Sequence, residues 1–292
     1  MVNGTRSETT GKRYPLRMVL RVADLSSAAW YERPEPREPQ KRGPKTAHSD
    51  DEVKSYLRRE IDEAIFHGEG YKKLRARANR RIQGNIGKNR AYRILREEGL
   101  LGRRPGGTGS ARKHDGELGT EAPNLMWATD GKKFWTEEEG ECGFFGVLDH
   151  FNAEVVCWHV DKKQDRFAAY LPLQEAVRLQ FGTLEGKPAR GVTLRTDRGS
   201  PYRSAYFKNK ADDLGITLSP TWARSPESNG MLERFHRTLE EQVFMIHQFK
   251  NLAEAREIIG AFIRNYNQHW LLEEYGYRSP LERRQIYAQK NA

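Results

Sequence analysis

Three acidic residues are the side chains of this chain best placed to do chemistry. Asp130 ends Pro-Asn-Leu-Met-Trp-Ala-Thr-Asp (123–130), Asp197 lies in Leu-Arg-Thr-Asp-Arg-Gly-Ser-Pro-Tyr (194–202), and Glu233 lies in Ser-Pro-Glu-Ser-Asn-Gly-Met-Leu-Glu-Arg-Phe (225–235). Three carboxylates brought together can hold two divalent ions, and such a pair can clamp the attacking and leaving oxygens of a phosphodiester. An all-oxygen set suits magnesium, with manganese as a substitute, better than zinc. Taken singly, each acid has an ordinary explanation. Asp130 can end a strand, Asp197 can open a turn, and Glu233 can be a surface acid paired with Arg237, worth about 0.3–0.5 kcal/mol.

The elements that must position these acids follow from periodicity. Three strand-like runs, about 125–135, 143–148 and 154–160, open the second half of the chain. Met126, Ala128 and Asp130 share one face of the first by the two-residue period. A helix over about 165–181 follows, with Phe167, Leu171, Leu173, Ala176 and Leu179 available for its buried side. A fourth strand, 192–196, ends directly at Asp197, where sites lie in open α/β sheets, and Gly199 lets the backbone turn out of it. A short helix (204–214), a fifth strand near 216–218 and two helices (228–248 and 252–268) complete the series. Glu233 sits early in the first of these last helices, off an apolar stripe of Leu232, Phe235, Leu239 and Ile246, with His236 and Arg237 at i+3 and i+4.

Upstream, 11–31 gives a short helical element, and Pro34, Pro36, Pro39 and Pro44 mark a linker. A helix starts near Ser49-Asp50-Asp51-Glu52, with Val53, Leu57, Ile61 and Ile65 as its stripe. A second helix carries Tyr71, Leu74 and Ala78. After the turn Gly84-Asn85-Ile86-Gly87, a third runs over 88–98 with Ala91, Tyr92 and Leu95 inward and Arg90, Arg93 and Arg96 outward. Helix, turn and basic helix is the order of a helix-turn-helix reader.

The chain has 292 residues, 37% apolar and 31% charged, with a formal net charge of +10. Residues 71–104 hold twelve Lys and Arg against Glu97 and Glu98, so this segment carries essentially all of the excess charge. A basic stripe beside a nearly neutral body is the footprint of a nucleic-acid contact; a solvated helical face is the plainer alternative. No apolar run approaches the roughly 18 residues of a membrane span, and the first residues lack the apolar stretch of a secretory signal. Cys142 and Cys157, the two cysteines, form no CxxC pair, which leaves a zinc module unsupported and a reducing cytoplasm the default. His150, His159 and His236 fit core or surface positions better than acid–base roles.

Over about 48–285 the chain resembles the DDE transposases and retroviral integrases, and within them the OrfB-type transposases of the IS-three family of insertion sequences. Asn124, Trp127 and Asp130 match an Asn-x-x-Trp-x-x-Asp pattern, Asp197, Gly199, Ser200 and Tyr202 match Asp-x-Gly-Ser-x-Tyr, and Asn229, Gly230 and Glu233 match the third motif. The resemblance implies an α/β, ribonuclease-H-like mixed five-stranded sheet flanked by helices, preceded by a small helical helix-turn-helix-like domain. It implies residues 1–47 as a helical segment and Pro-rich linker, 48–104 as a basic DNA-binding domain, 105–121 as a linker, 122–270 as the catalytic core and 271–292 as a tail.

The activity implied is DNA strand cleavage and strand transfer at the element's ends, with two Mg2+ (or Mn2+) ions on Asp130, Asp197 and Glu233. Asp130 would bridge the ions, and a catalytically decayed copy that only binds DNA is the alternative. Lys88, Arg90, Arg93, Arg96 and Arg237 are the expected DNA contacts. The implied partners are double-stranded DNA at the terminal repeats and target, further copies of the chain, and a first-frame product; the implied place is the bacterial cytoplasm, at the nucleoid. The sequence departs from the family at Glu240, seven residues after Glu233, where a lysine is usual; Arg237 is the nearby basic residue able to take part of its place. Tyr266, Asn267 and Trp270, with 276–280, resemble the family's closing segment and suit packing against the core.

Overall fold

The computed structural model describes residues 6–30, 47–102, 120–220 and 230–291. The expected Pro-rich linker, most of the second linker, and Asn229 of the third motif lie outside these residues. Among the described residues no helix is long and apolar enough to cross a membrane. The chain divides into two compact units, Met1–Ser49 and Asp50–Ala292. The first contains α1 (Leu16–Val22) and α2 (Ser27–Trp30), with Leu20 as its buried side chain.

The second unit begins with three short helices, α3 (Asp50–Asp62), α4 (Tyr71–Ile82) and α5 (Lys88–Glu97). Val53, Leu57, Leu74, Ala78, Ile86, Ala91, Ile94 and Leu95 close their shared core. The stripe is shorter than its periodicity suggests: α3 stops at Asp62, and Ile65 beyond it is exposed. On α5 Ile94 takes the inward place expected of Tyr92, which is 41% exposed and meets Tyr71 edge-on. Ala91, Ile94 and Leu95 share one side of α5, and two residues turn a helix by about 200°, so Tyr92 falls on the other side.

A five-stranded sheet of order β3-β2-β1-β4-β5 follows. Its strands are β1 (Met126–Thr136), β2 (Gly140–Asp149), β3 (Val155–Asp161), β4 (Thr193–Thr196) and β5 (Thr217–Pro220). The first three form an antiparallel meander, whereas β4 and β5 run parallel to β1. The helices are α6 (Arg166–Phe181), α7 (Ser200–Arg203), α8 (Ala205–Asp213), α9 (Gly230–Leu239), α10 (Leu252–His269) and α11 (Pro280–Asn291). This mixed sheet with helices on both faces is the ribonuclease-H-like arrangement.

Period-two alternation divides the side chains between two cores. Trp127, Phe145 and Val147 face α6 and α8, while Ala128, Phe134, Phe144 and Leu148 face α9 and α10. On α6 the buried side is Ala168, Ala169, Tyr170, Leu173, Ala176 and Val177; Phe167, Leu171 and Leu179 are largely exposed instead. Apolar residues are spread around much of this helix, so more than one stripe competes for burial, and the side that meets the sheet is the one rich in alanine. The helix expected over 228–248 is α9 continued by a π-helical turn, Glu240–Phe244, and Ile246 falls outside the buried stripe.

The basic face of α4 is largely consumed inside this second unit. Lys72 pairs with Glu273 at 2.6 Å, Arg77 with Glu69 at 2.7 Å, and Arg80 with Glu282 at 2.8 Å. Arg77 also donates to the His269 carbonyl at 2.8 Å. Lys73 Nζ lies 3.0 Å from the centroid of the Trp270 ring. Phe66, just after α3, meets Phe262 and Trp270 edge-on. These contacts bind the three-helix bundle to the segment following α10, so much of the local positive charge is structural.

Candidate active site

Asp130 and Asp197 are made neighbours by strand register. Thr129 of β1 is the parallel partner of Thr196 of β4, and each aspartate is the next residue, at the carboxyl-terminal end of the pairing. Each local motif has a visible job. Asn124, at φ 62, turns the chain into β1; its backbone N–H donates to Asp149 at 2.9 Å and its side-chain oxygen accepts from the Trp127 indole at 3.2 Å. Trp127 is fully buried, so the Asn–Trp pair fixes where β1 starts and therefore where Asp130 ends up.

The second motif holds Asp197. Gly199 donates its amide to Asp197 Oδ1 at 2.8 Å, and a Cβ at position 199 would lie only 2.9 Å from that oxygen. Glycine suits this position through close approach to the carboxylate, not through φ: any Cβ here would force the Asp197 side chain or the loop to shift. Ser200 begins α7, and Tyr202 is buried against Phe207 with ring centroids 5.1 Å apart. Burial pushes the Tyr202 phenol well above its ordinary value, with the charges of Asp130 and Asp197 acting in the same sense. Tyr202 is therefore a neutral packing residue beside the aspartates.

Glu233 comes from the exposed side of the first turn of α9. One turn later His236 is buried, with Nδ1 3.8 Å from Asp130 Oδ2. Burial holds the imidazole down at about 4, and the Lys132 charge adds to this. For Asp130, burial and then the charge of Asp197 push the carboxyl up to about 6; the Gly131 amide opposes this and the charge of Glu233 reinforces it. The three acids thus share one electrostatic field, although among the described residues no three His, Cys, Asp or Glu side chains are close enough to form a ready-made metal shell. Hard oxygen donors and concentrated negative charge suit a divalent cation such as Mg2+.

Other expected residues are distributed differently. Lys88, Arg93, Arg96 and Arg237 are exposed. Arg90 is half-buried and donates to Asp50 at 2.7 Å, and Arg93 pairs with the same carboxylate. His159 faces Asp161 at 3.5 Å, His150 is buried, and both cysteines are free thiols. Sequence reading did not single out Lys132, which pairs with Glu240 at 2.7 Å. It also missed a groove of about 1290 Å³ opening beside Asp197, with Lys187, Arg190, Arg198, Arg203 and Lys208 among its lining. These cations are scattered over several elements, so no local run announced them.

Two family models, both described as "Integrase core domain", match the chain, over residues 120–226 and 214–280. These matches define an integrase-type core of the DDE polynucleotidyl transferases. The Escherichia coli protein named Transposase InsD for insertion element IS2A/D/F/H/I/K is 30% identical over 254 residues, spanning 82% of this chain and 81% of that one. Transposase InsD for insertion element IS2-9, from E. coli strain K12, is also 30% identical over 254 residues, covering 82% of this chain and 79% of its own length. The chain belongs to the insertion-element transposases. A solved simian T-cell lymphotropic virus intasome, in complex with PP2A regulatory subunit B56 gamma, aligns with 81% of this chain and 74% of its own at 18% identity and TM-score 0.48.

Proposed function

We propose that this chain is the OrfB-type transposase of an IS-three-like element, cleaving the element's ends and joining them to target DNA. The observation that carries the reading is the placement of Asp130 and Asp197 side by side after a parallel backbone pair, with Glu233 close enough for its charge to be felt at Asp130. Asp130, Asp197 and Glu233 would together hold two magnesium ions, with manganese as a substitute. When bound, such ions supply Lewis acidity and an activated oxygen nucleophile for in-line attack on phosphorus.

The chain's own residues do the positioning. The Gly199 amide keeps one Asp197 oxygen directed, and the Gly131 amide does the same for Asp130 at 2.7 Å. His236 covers the inner side of Asp130 as a neutral ring. No covalent protein–DNA intermediate is needed, so Ser200 and Tyr202 remain structural.

In this reading residues 48–104 bind DNA, 122–270 carry the chemistry, 105–121 link them, and 271–292 form a tail. The exposed Lys88, Arg93 and Arg96 of α5 face the element's terminal repeat, and Arg237 contacts backbone near Glu233. The protein works as an oligomer on DNA with a first-frame partner, in the cytoplasm at the nucleoid.

The test is magnesium-dependent joining of duplexes carrying the element's ends. Asp197→Asn should abolish joining while leaving duplex binding largely intact, and chelation with EDTA should have the same effect on the native chain. Joining at the native rate by Asp197→Asn would instead make the acids structural and the chain a DNA-binding protein.

A further inference from the structure

Strand β1 and the α9–π stretch lie side by side in matched steps. Two residues of strand advance about 6.6 Å and four residues of helix about 6 Å, so every second side chain of one meets every fourth of the other. Three rungs result. Asp130 meets His236 at 3.8 Å, Lys132 meets Glu240 at 2.7 Å, and Phe134 stacks on Phe244 with centroids 5.3 Å apart. Lys132 shares the strand face of Asp130, one rung away. Glu240 lies seven residues, nearly two full helical turns, from Glu233, and so points to a similar side of the helix.

A carboxylate at position 240 would by itself repel a phosphate approaching the acids. Here it does not stand alone, because Lys132 neutralises it. Lys132 is only half-buried, and its charge is felt at both Asp130 and His236. A lysine ammonium has three donors, so it can keep Glu240 and still donate to a phosphate oxygen. A partly exposed ion pair of this kind adds at most about 1 kcal/mol to stability.

We propose that Lys132 grips the DNA phosphate beside the scissile bond and that Glu240 is its positioning residue. The usual basic group is thereby delivered from the strand instead of the helix. This assignment rests on the strand-transfer reading above.

The experiment uses the full chain, a labelled duplex of the DNA flanking its coding frame, and manganese- or magnesium-dependent joining. Lys132→Ala should slow joining at least tenfold at an unchanged melting temperature. It should also flatten the dependence of log affinity on log salt by about 0.9, the loss of one phosphate contact. Lys132→Glu should be worse, placing two carboxylates together. The exchange Lys132→Glu with Glu240→Lys should recover most of the loss, since it returns a lysine to the same rung. Native joining and an unchanged salt slope in Lys132→Ala, or no recovery in the exchanged pair, overturns the assignment. If the native chain joins the duplex, Asp197→Asn does not, and Lys132→Ala behaves as native, Lys132 alone is wrongly assigned. If Asp197→Asn joins as well as the native chain, the strand-transfer reading fails and takes this assignment with it.

Discussion

His236 Nδ1 stands 3.8 Å from Asp130 Oδ2, bringing a buried helical ring against a strand carboxylate. That distance is beyond a hydrogen bond, so the ring acts by shape, limiting the rotamers open to Asp130. His236→Ala should open space beside the carboxylate and slow joining about tenfold, a barrier increase of about 1.4 kcal/mol. His236→Phe, which keeps a ring there, should retain more activity. Joining rates at matched duplex occupancy check this, and equal rates for both variants would remove the packing role.

Gly199→Ala forces a Cβ to within 2.9 Å of Asp197 Oδ1. Either the carboxylate rotates or the loop moves, and displacement of a reacting group by about 1 Å can cost about 100-fold in rate. The expected result is a loss of that order with duplex binding and melting temperature close to native. Retained joining would show that the Gly199–Asp197 contact does not set the geometry.

Lys73 gives a pH signature outside the site. Its ammonium is buried over Trp270 without a hydrogen-bond partner among the described residues, and burial pulls it from 10.5 down to about 7. The unfolded chain therefore binds more protons between about 7 and 10.5, so this group makes stability rise with pH across that window. The cation–π contact favours the charged form and tempers the effect to on the order of 1–3 kcal/mol. Thermal unfolding from pH 7 to 10 should show the native chain gaining on Lys73→Met, and parallel curves would reject the depressed amine.

Arginines of α5 should separate into two kinds. Arg90 is half-buried on Asp50, and Arg90→Ala should lower the melting temperature of the helical bundle. Arg96 is exposed, and Arg96→Ala should leave melting unchanged while weakening duplex binding and reducing its salt slope by about 0.9. Melting and binding measured on the same samples distinguish them; a native salt slope in Arg96→Ala would remove it from the interface.

Much of this arrangement was legible beforehand because it is local. The order of strands and helices follows from alternation along the chain, and the Asn124–Trp127 and Asp197–Gly199 contacts are between near neighbours. Burial choices were harder. Tyr92 against Ile94, or Leu171 against Val177, are decided by which of several similar stripes meets a partner, information that no single helix contains. The positive charge of 71–104 was visible, but its use by α4 against Glu273, Glu69 and Glu282 depends on acids lying nearby in space, two of them distant in sequence.

By itself the amino-acid order determined the acids, the strand and helix succession, and a glycine beside Asp197, since these depend on side-chain chemistry and short-range periodicity. Only the tertiary structure decided that Asp130 abuts Asp197, because parallel register joins segments separated by the β2–β3 meander and α6. It also decided that Lys132 answers Glu240. A strand step of two residues and a helix step of four happen to match in length, and that coincidence exists only once the strand and helix lie against each other.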